Sequence, residues 1–194
     1  MSDKFQDQYR IESNRLKNWN FGWKKCYYLT ICTRFNEYFG EIKDDKMIFT
    51  EIGKVAVNQW ISTPDIRPDM NLQLDEFQVM PNHFHAIIGI GSNKFNSFSD
   101  HEYEIEILNP GLTETIFRKN KFGPQSKNIS SICRGYKSSV TAYAKNHKIL
   151  FDWQPNFYCN IINDEKSLIK VRNYILNNVK NWSKDRFNKN KIKS

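Results

Sequence analysis

Apolar residues along this chain follow two rhythms, strict alternation and a three-to-four-residue step, and the changes of rhythm mark out its elements. Residues 25–33, centred on Cys-Tyr-Tyr-Leu-Thr-Ile-Cys, are dense in β-formers and predict a first strand. Residues 38–42 and 47–50, joined through Lys43-Asp44-Asp45-Lys46, predict a hairpin. Ile52, Val55, Ala56, Gln59 and Trp60 then recur at helical spacing, which predicts a helix over 51–62 with Thr50 as N-cap and Pro64 and Pro68 beyond its end. Residues 72–80 form the next predicted strand, and Pro81-Asn82 turns it into another over 83–90. A second helix is expected over 126–147, where Ile129, Ile132, Cys133, Tyr136, Val140 and Tyr143 make an apolar stripe. A short strand over 157–162 precedes a last helix over 165–182, with Asn163 or Asp164 as cap and Leu168, Val171, Ile175, Val179 and Trp182 as its buried stripe. Residues 92–123, which contain Pro110-Gly111, read as a long, partly mobile excursion. Leaving the hairpin aside, the order is β-α-β-β-α-β and then a helix. That is an α+β, ferredoxin-like (split βαβ) sandwich: an antiparallel sheet, two packing helices and an appended carboxy-terminal helix.

The chain has 194 residues, 39% of them hydrophobic and 14% aromatic, which suits one globular domain with a full core and excludes a disordered chain. No run of residues approaches a membrane span and the amino terminus is charged rather than signal-like, so a cytosolic protein is expected. Cys26, Cys32, Cys133 and Cys159 are too scattered for a zinc pattern or a small disulfide scaffold and read as reduced thiols.

A net charge of +8 points to an anionic partner. Its distribution is sharper than its total. Arg118, Lys119, Lys121, Lys127, Arg134, Lys137, Lys145 and Lys148 lie in a stretch with no acid, directly after the acidic run Asp100, Glu102, Glu104, Glu106 and Glu114. On the 126–147 helix the cations occupy a different face from the apolar stripe. Such a face is either a track for a polyanion or a solvated surface.

Two constellations carry chemistry. His83-Phe84-His85 opens a predicted strand, so both imidazoles point to one side while Phe84 points to the other. Paired imidazoles on one face can grip a divalent ion, and the same pattern also fits two partly buried polar side chains. On the last helix Tyr174 and Asn178 are four residues apart and therefore neighbours. They can supply a nucleophile and an amide ligand together, or simply border the apolar stripe. Tyr158, on the short strand, is a rival nucleophile without such a partner.

As a set these residues resemble a known family. Tyr28-Leu29-Thr30-Ile31-Cys32-Thr33, Phe39-Gly40-Glu41-Ile42, Met80-Pro81-Asn82-His83-Phe84-His85, Arg134-Gly135-Tyr136-Lys137-Ser138, Trp153-Gln154-Pro155 and Tyr174-Ile175-Leu176-Asn177-Asn178 stand in the order found in the HUH single-tyrosine transposases, and more closely in their REP-associated tyrosine transposase branch. The resemblance covers about residues 10–187. It implies that His83 and His85 are metal ligands, that Asn178 is the third, amide-type ligand, and that Tyr174 is the nucleophile. The implied ion is Mg²⁺, or Mn²⁺, which imidazole ligands favour. The implied reaction cuts and rejoins single-stranded hairpin DNA through a 5′-phosphotyrosine. One tyrosine per chain then calls for a second protomer or a sequential reaction, so monomer and homodimer both stay open. DNA contacts are expected from Lys127, Arg134, Lys137, Lys145 and Lys148, and by resemblance from Arg10, Arg15, Lys17, Trp19 and Trp23 in the amino-terminal segment. Lys170, one turn before Tyr174, is a candidate for lowering the phenol pKa. Asn160 stands where relatives often carry His, and Val179 where many carry Pro, so the last helix is expected to run past Asn178. Two rivals remain: a domesticated protein that holds nucleic acid without cutting it, and an HUH replication initiator or relaxase. A metal-dependent hydrolase ranks behind both, because no carboxylate accompanies the histidine pair in the sequence.

Overall fold

The computed structural model describes residues 4–5, 8–9, 19–34, 38–96 and 126–188. Arg10, Arg15 and Lys17, residues 97–123 of the expected 92–123 excursion, and Lys189, Lys191 and Lys193 lie outside the described residues. Two short strands, β1 (Lys4–Phe5) and β2 (Gln8–Tyr9), pair at the amino terminus.

Four strands make the main sheet: β3 (Lys25–Cys32), β6 (Leu72–Val79), β7 (His83–Ile90) and β8 (Tyr158–Ile162). Every neighbouring pair is antiparallel, in the order β6-β7-β3-β8. The two middle strands, β7 and β3, are therefore hydrogen-bonded along both edges. A separate hairpin, β4 (Gly40–Lys43) with β5 (Lys46–Phe49), leads into α1 (Glu51–Ile61). As expected, Thr50 caps α1, its hydroxyl accepting from the Gly53 amide at 3.2 Å. The glycine at this position is required, because a Cβ there would lie 2.0 Å from the Phe39 carbonyl oxygen. A single-turn α2 (Thr63–Ile66) follows, and α3 (Ile129–Asn146) begins at an Asn128–Ser131 capping box.

The alternation of the strands sorts side chains into two layers. Leu29 and Ile31 of β3 and Phe84, Ala86 and Ile88 of β7 face α1 and α3, where they join Ala56, Trp60, Ile132, Tyr136 and Val140 in the main core. Phe84 sits in an aromatic nest, 4.9 Å from the Trp60 ring centroid and 5.1 Å from that of Tyr136. On the other sheet face Ile87 and Ile162 pack with Ile175 of α4 (Glu165–Leu176), with Tyr28, Leu168 and Val171 around them. The expected α+β sandwich and element order are both present.

The last helix is shorter than expected. Asp164 caps its start, accepting from the Ser167 amide at 2.8 Å, but α4 ends at Leu176 instead of running to residue 182. Asn177 is the physical cause, since an asparagine side chain offers the backbone an alternative to helical bonding. Asn177 Nδ2 donates to the Asn173 carbonyl at 2.7 Å, and the Asn178 amide closes a tighter bond to the Ile175 carbonyl at 3.1 Å. Val179 and Trp182 thereby leave the helical stripe, and Trp182–Lys184 forms a separate 3₁₀ turn.

Phe84→Ala tests the layer assignment: it should cost about 3–5 kcal/mol of stability by emptying the aromatic nest while leaving both neighbouring imidazoles in place. Chemical denaturation measures this, and a cost below about 1 kcal/mol is incompatible with a buried Phe84.

Candidate active site

β7 delivers His83 and His85 to the sheet face that α4 covers. Both rings are fully buried, with centroids 4.6 Å apart. His83 Nδ1 lies 2.9 Å from Asn82 Oδ1, and Asn82 Nδ2 donates to the Phe187 carbonyl at 2.7 Å. That second bond fixes the amide's orientation, so Asn82 presents an acceptor and His83 Nδ1 carries the hydrogen. His83 Nε2 is left with its lone pair, buried and without a hydrogen-bond partner. His85 Nδ1 meets two hydroxyls from β3, Tyr28 at 2.8 Å and Thr30 at 2.9 Å, while its Nε2 lies 3.4 Å from the Tyr174 hydroxyl.

Tyr174 comes to this point because α4 is clamped across the sheet. A register shift in β6 between Leu74 and Phe77 releases Asp75 from the regular ladder, and Arg172 grips its carboxylate with Nε at 2.8 Å and Nη2 at 2.5 Å. Tyr174 is 44% exposed, so its hydroxyl touches the buried histidines while its flank is open to solvent. Asn178 follows in the turn after the helix. It is only 2% exposed, and neither its amide oxygen nor its amide nitrogen has a partner. Buried polar atoms left unpaired in this way are uncommon.

The chain then folds back beneath the site. The Phe187 ring packs 4.5 Å from the His83 ring, with Trp182 at 6.0 Å on another side. Asp185, 9% exposed, brings a carboxylate oxygen and the two imidazole nitrogens within 4.8 Å of one another. A carboxylate therefore does accompany the histidine pair, and the sequence argument against a metal-dependent hydrolase loses its ground. Asp185 was missed because it lies 100 residues from His85. The available signal was that it is the one acid after Glu165, in an otherwise basic tail. The unpartnered Nε2 of His83, the neighbouring His85 ring, a carboxylate and an unpartnered amide suit a divalent cation with mixed nitrogen and oxygen ligands.

Burial depresses both imidazoles, with His85 pushed down to about 3; the nearby Arg186 cation adds to the effect on each, and His85 itself adds to it on His83. Both are thus neutral at ordinary pH. Tyr174 is pushed above the usual phenol value by burial and then by the Asp185 carboxylate, while the nearby polar groups of Asn178 and Tyr28 and the charge of Arg186 work in the opposite direction. The cation acting on the phenol is Arg186 and not Lys170.

No protein-family model matches the chain. An uncharacterized protein of Haemophilus influenzae is 34% identical over 178 residues, which are 89% of this chain and 90% of that one. Among solved structures, a REP-associated tyrosine transposase bound to a REP hairpin matches 88% of this chain and 74% of its own, at 16% identity and a TM-score of 0.51. The chain shares a family with the Haemophilus influenzae protein, and its fold is that of the HUH tyrosine transposases.

Within this HUH fold the expected DNA-binding cations lie elsewhere. α3 packs on the sheet face opposite His83 and His85, so the sheet separates its cations from the histidines. Arg134, Lys145 and Lys148 are exposed there. Lys137 instead turns its ammonium inward, donating to the carbonyls of Gln154 at 2.6 Å and Asn156 at 3.1 Å. Lys127 pairs with Asp69 and covers the Phe95 ring. Trp19 and Trp23 form an edge-to-face pair, and Trp19 packs against the main core. Tyr158, the rival nucleophile, is the register partner of Thr30 on edge strand β8. That puts it two strand spacings, about 10 Å, from His85. Asn160, two residues on, is exposed.

The depressed histidines give a pH signature. His85 is neutral in the folded chain down to about pH 3 but takes up a proton near pH 6.5 once unfolded. The unfolded state thus binds more protons between those values, so stability should be unaffected above about 6.5 and fall as pH is lowered through that window. Thermal midpoints in EDTA should drop between about pH 7.5 and 5 by less in His85→Gln than in wild type. Equal drops would remove His85 as their source.

Proposed function

We propose that this chain is an HUH single-tyrosine transposase that cleaves and rejoins single-stranded DNA beside a hairpin, with Tyr174 as nucleophile. The observation that carries this reading is the 3.4 Å approach of the Tyr174 hydroxyl to His85 Nε2, within one chain and beside a second buried, unpartnered imidazole nitrogen. Hairpin DNA is inferred from the transposase of the same fold that was solved on a REP hairpin.

His83 Nε2, His85 Nε2 and a carboxylate oxygen of Asp185 would hold a divalent ion, Mg²⁺ or Mn²⁺, and the buried, unpartnered Asn178 amide oxygen would be a further ligand. Once bound, such an ion supplies positive charge to the phosphoryl oxygens. The remaining steps belong to the chain's own groups. Tyr174 loses its phenolic proton and attacks phosphorus, so that an Oη–P bond forms as the P–O3′ bond breaks and the departing 3′ oxygen gains a proton. The resulting 5′-phosphotyrosine keeps the ester bond energy, so attack by another 3′-hydroxyl reverses the step without a nucleotide cofactor. Arg186, exposed at the rim, is placed to meet a backbone phosphate. Across the sheet, Arg134, Lys145 and Lys148 would engage DNA that flanks the cut.

Incubation with labelled single-stranded hairpin DNA and Mn²⁺ should give a protein–DNA adduct that survives denaturation, is lost in Tyr174→Phe and persists in Tyr158→Phe. An adduct that forms equally in Tyr174→Phe overturns the assignment. Lys145→Ala combined with Lys148→Ala should flatten the salt dependence of binding, lowering the log–log slope by about 1.4 for single-stranded contacts, without abolishing cleavage at low salt. An unchanged slope would clear this surface of any DNA contact.

A further inference from the structure

The Tyr28 hydroxyl lies behind the site and takes no part in the steps above. It lies 2.8 Å from His85 Nδ1, and the Tyr28 ring is stacked on that imidazole at 5.5 Å and set edge-on to the Tyr174 ring at 6.4 Å. Thr30, the register partner of His85, offers a second hydroxyl to the same nitrogen at 2.9 Å.

Unlike His83, whose tautomer Asn82 dictates, His85 faces partners that can each donate or accept. Two arrangements follow. If Tyr28 donates to Nδ1, the hydrogen of His85 sits on Nε2, facing the Tyr174 hydroxyl, and Nε2 has no lone pair to offer an ion. If His85 gives its Nε2 lone pair to an ion, Nδ1 carries the hydrogen and Tyr28 accepts it. The proton of Tyr28 is then free to point at the Tyr174 oxygen. Thr30 can stand in for Tyr28 as the acceptor of Nδ1–H in the second arrangement, while Tyr28 alone of the two has its ring against Tyr174.

We propose that Tyr28 is a positioning residue that couples the ligating tautomer of His85 to a hydrogen bond donated to the Tyr174 oxygen. Negative charge developing on that oxygen as its proton departs on the solvent-open side meets a donor already in place, and Tyr28 keeps its own proton throughout. The inference rests on the reading of His85 as a ligand and Tyr174 as the nucleophile.

Tyr28→Phe and Thr30→Val separate the two roles. Each is titrated with Mn²⁺ by calorimetry and then assayed on single-stranded hairpin DNA at saturating Mn²⁺, with thermal melts confirming the fold. Both should weaken Mn²⁺ binding about 10-fold, the usual effect of losing an outer-shell partner. At saturating Mn²⁺, Tyr28→Phe should lose about 10²-fold in kcat with KM unchanged, as when one donor to a developing oxyanion is removed, a loss at least about ten times that in Thr30→Val. Wild-type kcat in Tyr28→Phe, or equal kcat losses in the two variants, overturns the proposal. A wild-type chain that neither binds Mn²⁺ nor forms the adduct overturns the underlying site assignment instead, and the proposal with it.

Discussion

The site depends on which way one strand faces. In β7 the alternation of side chains drives Phe84 into the aromatic nest of Trp60 and Tyr136, and it thereby commits His83 and His85 to the opposite face. A slip of one residue would put an imidazole into the nest and a phenylalanine beside Asp185 and Tyr174, so the burial of Phe84 sets the register of the site. Hydrogen bonds along both edges of β7, to β3 and to β6, hold that register from either side. A core contact and a functional constraint thus coincide at a single side chain.

Second in importance is the way the two imidazoles are buried together without charge. Ionised imidazoles 4.6 Å apart would repel strongly in a place with little water, and burial instead keeps both neutral. Neutral nitrogens with defined lone pairs are what a cation needs. With one carboxylate in the proposed ligand set, a divalent ion would retain a net charge of about +1, enough to attract a phosphodiester without being neutralised by its own ligands.

Local chemistry made much of this legible in the sequence, while long-range chemistry did not. Alternation exposed β3, β6 and β7, helical spacing exposed α1 and α3, and the His-Phe-His triplet fell on its strand because Pro81-Asn82 marks the turn before it. The Tyr174–Asn178 spacing singled out a phenol that reaches His85 and a buried, unpartnered amide, although Asn178 lies in the turn after α4 and not in the helix itself. Asp185 and Arg186 could not be read, because they reach the histidines only after the chain reverses through residues 177–184, and a reversal leaves no periodic trace. Charge patterning likewise identified a basic helix but not the side of the sheet it would occupy. The fate of Lys137 depends on the carbonyls of a segment 17 to 19 residues away, which hydropathy does not register.

How α4 holds its roll about its own axis explains why a partly exposed tyrosine can be aimed so narrowly. At about 100° per residue, Arg172 lies roughly 60° to one side of the buried Ile175 and Tyr174 roughly 100° to the other. Ile175 presses into the sheet against Ile87 and Ile162, Arg172 reaches outward to Asp75 on edge strand β6, and Tyr174 turns toward His85 and Tyr28. Three contacts in three directions leave the helix little freedom to rotate, although no one of them is strong in isolation. The β-bulge that frees Asp75 from the ladder is therefore part of the aiming of Tyr174, since a regular β6 would leave Arg172 without its partner and α4 without its outer anchor. The aim of Tyr174 comes from a sheet edge on the far side of the helix, more than from anything Tyr174 itself touches.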